Sequence, residues 1–274
     1  MAKITNYSVD SIKKQIKEEQ GWGSYFILDD YLEQTLFDNL CDDFENLKKE
    51  NIYTIEEKPR IWNDIKPFGM NLCVGGAGGG IEYFNKMNSL SSNWKEFINS
   101  MYSKEMYDYF FDIFSDTQVF KDNITEDDIR DSTLSCKLSS QLDNYGDIIH
   151  PDARQKVISF LLYMDNKDWN ENSVGGTDLW KVIDEKVVYD NNVDSMDYRY
   201  RSGRFSVKHP NVRLTEEEAE RIVKFKSIDF KPNRLVGFVR NNKSYHSIPP
   251  RELPDGVTRD CFQINIWNKS SRSK

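Results

Sequence analysis

Histidine is scarce in this 274-residue chain, which contains three, at positions 150, 209 and 246. Cysteine is also rare: the four cysteines are widely spaced and include no Cys-x-x-Cys pair, which argues against a disulfide framework or a structural zinc site. Basic charge is not in excess, because the formal net charge is −8. The chain therefore lacks the basic footprint of a dedicated nucleic-acid-binding protein.

Long apolar segments are absent as well. No run approaches the ~20 residues that a transmembrane helix requires, and the N-terminal residues lead into a polar stretch rather than the apolar core of a signal peptide. We therefore expect a cytoplasmic protein without a membrane partner. Hydrophobic residues make up 38% of the chain and charged residues 30%, a composition typical of a folded domain with a sizeable core.

The pattern of apolar residues changes at about residue 131. Residues 1–131 have mainly helical periodicity, with a helical face over 36–47 and further helices predicted over 92–114. Residues 132–268 have strand patterns instead, such as the alternation over 134–142 and the run Val157–Met164, which is apolar apart from Ser159. The sequence predicts a single domain, mainly β, in which a helix-rich N-terminal part supports an antiparallel core.

The motif His150-Pro151-Asp152 places an imidazole and a carboxylate two residues apart. Residues i and i+2 of an extended segment point to the same side, so both can reach one metal ion. A second imidazole would complete a triad of two histidines and one carboxylate, the arrangement of non-haem Fe(II) oxygenases. His246 is preferred for that role over His209, which lies in a polar segment before a proline.

The elements around this motif follow a distinctive order. An alternating strand leads to His150-Pro151-Asp152; then come an apolar strand ending in Leu161-Leu162-Tyr163, the sequence Gly175-Gly176-x-x-Leu179, the distal His246 and finally Arg259. This order resembles that of the 2-oxoglutarate and Fe(II)-dependent oxygenases, most closely the prolyl-hydroxylase-like branch. The resemblance covers about residues 132–268 and implies a double-stranded β-helix, or jelly-roll, core.

The resemblance also implies the ligands of the site. Fe(II) would be bound by His150, Asp152 and His246, with 2-oxoglutarate as co-substrate, O2 as oxidant and ascorbate as a candidate reductant. Arg259 would pair with the distal carboxylate of 2-oxoglutarate, because a guanidinium is permanently charged and forks onto a carboxylate. Arg251 competes for this role but lies in a proline-rich loop, whereas alternating strand residues follow Arg259.

Two tyrosines complete the co-substrate site that the resemblance implies. Tyr163 ends the apolar strand where relatives often have a tyrosine hydrogen-bonded to the same carboxylate of 2-oxoglutarate. Tyr145 lies in the turn before the His-x-Asp motif and is a looser candidate for a position near the metal.

The implied reaction converts 2-oxoglutarate to CO2 and succinate and hydroxylates an unactivated C–H bond. A carboxylate at Asp152 favours hydroxylation, because related halogenases have a small residue there. The substrate stays open between a side chain of a peptide or protein, such as proline, and a small molecule, and the oligomeric state is open too. A non-catalytic jelly-roll binding module that retains the metal site is the alternative function.

Substrate contacts are predicted from the last strand and from an insertion. If Arg259 points into the barrel, alternation turns Gln263, Asn265 and Trp267 to the same side, where amides suit a ligand pocket better than a sealed core. Residues 181–226 are predicted as an insertion that forms much of a substrate lid. Its Arg199 and Arg201 either grip an anionic substrate or an RNA strand or form a solvated face, and the solvated face is favoured.

Overall fold

The structure is a computed structural model of the chain. It describes residues 4–49, 54–56, 71–74, 81, 84, 90–141, 147–152, 156–164, 176–184, 220–248 and 257–268. Within these ranges the chain forms two antiparallel sheets and a group of helices that packs on one of them. The predicted mainly β architecture with flanking helices is therefore confirmed.

The described helices all lie in the N-terminal half. They are α1 (Val9–Lys13), α2 (Gln34–Lys49), α3 (Ser92–Met101), α4 (Lys104–Phe114), α5 (Gln118–Asn123) and α6 (Glu126–Arg130). The helices α3 to α6 each begin after a serine or threonine whose hydroxyl accepts a backbone N–H of the first turn, which stabilises the helix start. In the part of the chain that the structure describes, no helix is both long and apolar enough to cross a membrane.

The strands divide into a major sheet of eight and a minor sheet of four. The major sheet contains β1 (Lys17–Glu19), β2 (Gly23–Leu28), β3 (Thr54–Glu56), β4 (Asn71–Val74), β5 (Ser132–Gln141), β7 (Lys156–Tyr163), β10 (Leu235–Val239) and β12 (Arg259–Asn268), in the order β1-β2-β10-β7-β12-β5-β4-β3. The minor sheet contains β6 (Asp147–His150), β8 (Thr177–Val182), β9 (Ile222–Ile228) and β11 (Tyr245–Ile248), in the order β6-β11-β8-β9. All pairings are antiparallel among the described strands.

Two boundaries differ from the sequence prediction. The N-terminal part is more than a helical support, because β2 pairs with β10 and β4 pairs with β5, which extends the major sheet at both edges. The predicted insertion 181–226 is strand at its ends, since Val182 of β8 pairs with Ile222 of β9. Residues 185–219 between these strands lie outside the described residues, and Arg199, Arg201 and His209 are among them.

The two faces of the major sheet are different. One face packs against the helices and is apolar and aromatic: Phe160 of β7 contacts Phe26 and Phe110, with ring centroids 6.1 and 4.7 Å away. Strand alternation turns Ser159, Tyr163 and other β7 neighbours to the opposite face, towards the minor sheet. This inner face carries polar side chains that a sealed core would not contain.

Buried hydrogen bonds connect the two sheets. The indole Nε1 of Trp22 donates to the backbone oxygen of Tyr245 on β11 at 2.7 Å. The hydroxyls of Tyr163 on β7 and Thr177 on β8 lie 2.7 Å apart. These contacts hold the minor sheet against the inner face of the major sheet and leave a cavity between them.

Candidate active site

His150, Asp152 and His246 lie together at one end of this cavity. One ligand atom from each lies within 4.8 Å of the other two. His150 ends β6 and His246 stands directly opposite it on β11, so their ring centroids are 4.7 Å apart. Asp152 follows two residues after His150 and brings its Oδ1 to 3.9 Å from His246 Nε2. The strand pairing thus assembles the three side chains that the sequence predicted.

Backbone and ring contacts orient His246. Its Nδ1 lies 3.1 Å from the backbone oxygen of Ser244. A carbonyl oxygen only accepts hydrogen bonds, so Nδ1 is the donor and Nε2 is the nitrogen that faces Asp152. The ring of Phe238 packs against the imidazole at a centroid distance of 4.9 Å. His246 is therefore buried and held with Nε2 towards the triad, as a metal ligand requires.

Asp152 is a buried carboxylate that is held at both oxygens. Lys156 Nζ donates to Oδ1 at 2.5 Å and Ser159 Oγ donates to Oδ2 at 2.6 Å. Burial raises the pKa of Asp152, but the charge of Lys156, with smaller contributions from the two histidines, outweighs burial and lowers the pKa below its ordinary value. The group stays ionised, which a metal ligand requires.

Arg259 lines the same cavity at its other end, because it lies six residues along β12 from Asn265, the residue that pairs with Ser159 beside Asp152. The cavity has a volume of about 90 Å³, and its lining includes the metal-binding candidates together with Arg259, Thr177 and Gln263. The Arg259 side chain is almost fully buried, with 1% of its surface exposed. Its guanidinium carbon lies 5.1 Å from the ring centroid of Tyr163 and 6.0 Å from that of Phe230. A permanent positive charge thus faces a space bounded at the far end by the triad.

Tyr163 supports this cationic end. Burial raises the pKa of Tyr163, and the nearby Arg259 opposes that rise without cancelling it. The phenol therefore keeps its proton and shares a hydrogen bond with Thr177, 2.7 Å away. A protonated hydroxyl beside a guanidinium is a suitable hydrogen-bonding partner for a carboxylate.

No protein-family model and no curated protein sequence matches this chain. Solved structures do match. A prolyl-4-hydroxylase from Pseudomonas putida superposes with a TM-score of 0.51 and 10% identity, over 94% of this chain and 99% of that protein. Two non-haem α-ketoglutarate-dependent enzymes of nogalamycin biosynthesis also match. The epimerase SnoN has a TM-score of 0.53 and 8% identity over 95% of this chain and 83% of its own. The carbocyclase SnoK has a TM-score of 0.53 and 10% identity over 98% and 88%.

The chain has the fold of the 2-oxoglutarate and Fe(II)-dependent oxygenases. The predicted jelly-roll core is thereby confirmed. Identities of 8–10% show a shared fold and do not by themselves show a shared chemistry.

The oxygenase fold brings most of the predicted residues to one place. His150, Asp152, His246, Arg259 and Gln263 all line the cavity, and Tyr163 packs beside Arg259. Their roles as ligands of metal, co-substrate and substrate stay predictions.

Two other predicted substrate contacts do not line the cavity. Asn265 and Trp267 are buried on β12, but neither belongs to the lining of this cavity. Tyr145, Arg199 and Arg201, and also Arg251, lie outside the described residues.

Several residues that line the cavity were not predicted from the sequence, among them Lys156, Ser159 and Thr177. Ser159 had a signal, since it is the one serine in the otherwise apolar run Val157–Met164. Thr177 directly follows the Gly-Gly pair that marks the start of β8. Nothing in the sequence distinguishes Lys156 from other lysines, because its role depends on where the segment after Asp152 returns to the sheet.

Proposed function

We propose that this protein is an Fe(II)- and 2-oxoglutarate-dependent dioxygenase that hydroxylates an unactivated C–H bond, with CO2 and succinate as co-products. The observation that supports this function best is the shared cavity, which has the His150, Asp152 and His246 triad at one end and the Arg259 guanidinium at the other. The first arrangement suits a metal, and the second suits the carboxylate of a ligand that reaches the metal.

The triad fits Fe(II). Its donor set of two imidazoles and one carboxylate leaves coordination positions open for exchangeable ligands. The ligand atoms lie within 4.8 Å of one another, close enough to converge on one ion at bond lengths of ~2 Å with small side-chain adjustments. Nε2 of His246 faces Asp152, and Asp152 is ionised, as metal ligands require.

The cationic end of the cavity fits 2-oxoglutarate. Arg259 offers two parallel N–H donors to a carboxylate, and its burial strengthens the interaction relative to one in water. The hydroxyls of Tyr163 and Thr177 lie next to it. A dicarboxylate held here by one end would extend its other end towards the triad.

When bound together, Fe(II) and 2-oxoglutarate would activate O2, and the activated oxygen would oxidise the substrate. The residues of this chain hold the reactants and limit access of water. Leu161 and Phe238 contribute apolar walls to the cavity, and an apolar enclosure suppresses side reactions with solvent. Gln263 offers an amide at the cavity wall for orienting a substrate. The substrate class we propose is a peptide or protein side chain, such as proline, or a small molecule.

The test is succinate formation by the purified protein. With Fe(II), 2-oxoglutarate, O2 and ascorbate as reductant, the wild type should form succinate, and candidate substrates should gain one oxygen atom. Asp152→Ala and His246→Ala should abolish succinate formation. Asp116→Ala is the matched control, because Asp116 is an exposed carboxylate on the surface, and it should retain wild-type turnover.

Two outcomes would contradict the proposal. Activity that survives Asp152→Ala would remove this carboxylate from the metal site. Metal binding without succinate formation, with any panel of substrates, would support the alternative of a non-catalytic jelly-roll module.

A further inference from the structure

The two oxygens of Asp152 have different partners on opposite sides. Oδ1 is 3.9 Å from His246 Nε2 and therefore faces the triad. Lys156 Nζ lies 2.5 Å from this same oxygen. Ser159 Oγ lies 2.6 Å from the other oxygen, Oδ2. The ammonium thus contacts the oxygen that a metal ion needs, whereas the hydroxyl contacts the other one.

The two contacts differ in charge, because Lys156 donates from an ammonium and Ser159 from a neutral hydroxyl. A divalent cation bound to Oδ1 would stand within ~5 Å of an ammonium on the same oxygen, and two positive charges at that distance in a buried site repel strongly. A hydroxyl donating to Oδ2 carries no net charge and is compatible with the metal. Lys156 also has a flexible four-carbon side chain that allows its charge to move away.

Burial makes the ion pair between Lys156 and Asp152 significant. The side chains of Lys156 and Asp152 are 17% and 6% exposed, so each charge needs the other to offset the cost of leaving water. Among the described residues that line the cavity, Lys156 is the lysine or arginine in contact with the Asp152 carboxylate: Arg259 lies next to Tyr163, and Arg240, which is not in the lining, donates to the backbone oxygen of Asp152. Lys156 therefore occupies the position of positive charge that the metal would take over.

We propose that Lys156 is an exchangeable counter-ion of the metal centre. It neutralises Asp152 in the metal-free protein and leaves Oδ1 when a divalent cation binds. Ser159 is a positioning residue that holds Oδ2 in both states. This inference rests on the proposed metal site. Its consequence is that Lys156 stabilises the metal-free protein and lowers metal affinity, so an ion must bind strongly enough to displace an ammonium.

Metal affinity tests the proposal, because the two partners of one carboxylate should act in opposite directions. The metal-free full-length protein is titrated with MnCl2 by isothermal calorimetry under anaerobic conditions. Lys156→Met keeps the length of the side chain without its charge, and it should lower the Kd at least ~10-fold. Ser159→Ala should raise the Kd about tenfold, as loss of a ligand's supporting hydrogen bond does. A simple supporting role for Lys156 predicts a higher Kd for both variants.

The variant Asp152→Ala distinguishes a wrong metal site from a wrong counter-ion role for Lys156. If the wild type does not bind Mn(II), or if Asp152→Ala binds it equally well, the metal site itself is wrong. If the wild type binds Mn(II), Asp152→Ala does not, and Lys156→Met binds with unchanged or weaker affinity, the metal site stands and the counter-ion inference is overturned.

A second measurement needs no variant at Lys156. Acetylation of lysines in the wild type is followed by mass spectrometry with and without Mn(II). Release from Asp152 should increase the labelling rate of Lys156 several-fold when the metal binds. Lys104, whose side chain is 84% exposed, is the internal reference and should not change. An unchanged or slower rate at Lys156 in the metal-loaded protein would overturn the exchange.

Discussion

Ser159 and Phe160 are neighbours on β7, but their side chains lie on opposite faces of the major sheet. Phe160 faces the helices, where it contacts Phe110 and Phe26 in the main apolar core. Ser159 faces the minor sheet and holds the carboxylate of Asp152. The same alternation places Ile264 in the main core and Gln263 at the cavity. In the middle of β7 and β12, even-numbered residues such as Phe160 and Ile264 thus contribute to the core, and odd-numbered residues such as Ser159 and Gln263 to the site.

This comparison implies that stability and ligand binding can be changed separately. Substitutions on the helix-facing side should lower the free energy of unfolding and leave binding by the folded protein intact. Substitutions on the inner face should change binding with a smaller effect on stability.

Phe160→Ala should have the largest effect on stability. The substitution leaves a cavity among aromatic side chains, and such changes cost about 3–5 kcal/mol. Urea denaturation of the metal-free protein measures the loss. Gln263→Ala, on the opposite face of the neighbouring strand β12, is the control and should cost less than ~1 kcal/mol. Similar losses for the two variants would contradict the division between the faces.

Arg259→Gln should mainly affect 2-oxoglutarate. Loss of a charge-assisted contact to a carboxylate costs about 2–3 kcal/mol, which corresponds to a rise in the KM for 2-oxoglutarate of roughly 30- to 150-fold. The affinity for Mn(II) alone should stay close to that of the wild type, because Arg259 lies at the other end of the cavity. An unchanged KM would move the carboxylate role to another cation, such as Arg251.

Gly237→Ala should destabilise the helix-facing side by overpacking. A Cβ at this position on β10 would lie 2.5 Å from Cζ of Phe26 and 2.7 Å from Cδ1 of Phe160. Forcing a methyl group into such a space costs about 1–3 kcal/mol. Combining the substitution with Phe26→Leu should recover part of this loss, which a double-mutant cycle measures. Strict additivity of the two substitutions would contradict the predicted steric cause.

Asp29→Asn should have the smallest effect, because Asp29 lies beyond the end of β2 and belongs to neither face. Arg234 donates to both of its oxygens and Lys231 to one, at 2.6–3.1 Å. The hydrogen bond from Arg234 is the main cause that lowers the pKa of Asp29 below its ordinary 3.8. A lowered folded-state pKa contributes stability above the unfolded-state pKa, and this contribution is lost as the pH falls through the folded-state pKa.

The half-exposed position of Asp29 limits the effect, since solvent screens the pair. The substitution should therefore cost less than ~1 kcal/mol at neutral pH, and the difference from the wild type should disappear in strong acid. Thermal denaturation across the acid range measures this. A difference that grows as the pH falls would contradict the assigned cause.

Local patterns in the sequence predicted much of the fold. The alternation over 134–142 and the apolar run around Phe160 became β5 and β7, and the helical face over 36–47 became α2. Short-range periodicity determines such elements, so it is visible in sequence. The pairing of β8 with β9 was not predicted, because a long segment separates the strands and periodicity carries no information about partners.

The candidate site, like the fold, was predicted only in part from the sequence. His150, Asp152 and His246 were predicted because histidine is scarce and because the order of strands and motifs around them resembles that of the oxygenases. Lys156 was not, because its contact with Asp152 arises from the return of the chain onto the major sheet. Sequence therefore predicts the residues that bind a ligand better than the residues that hold those residues in place.

The most direct test of the central claim is whether 2-oxoglutarate binding depends on the metal. The wild-type protein is titrated with 2-oxoglutarate by calorimetry under anaerobic conditions, once metal-free and once saturated with Mn(II). A triad and a guanidinium that share one cavity predict binding that is much tighter with the metal and that weakens in both Asp152→Ala and Arg259→Gln. Equal affinity for 2-oxoglutarate with and without Mn(II), or no binding in either state, would contradict a shared site for the metal and 2-oxoglutarate.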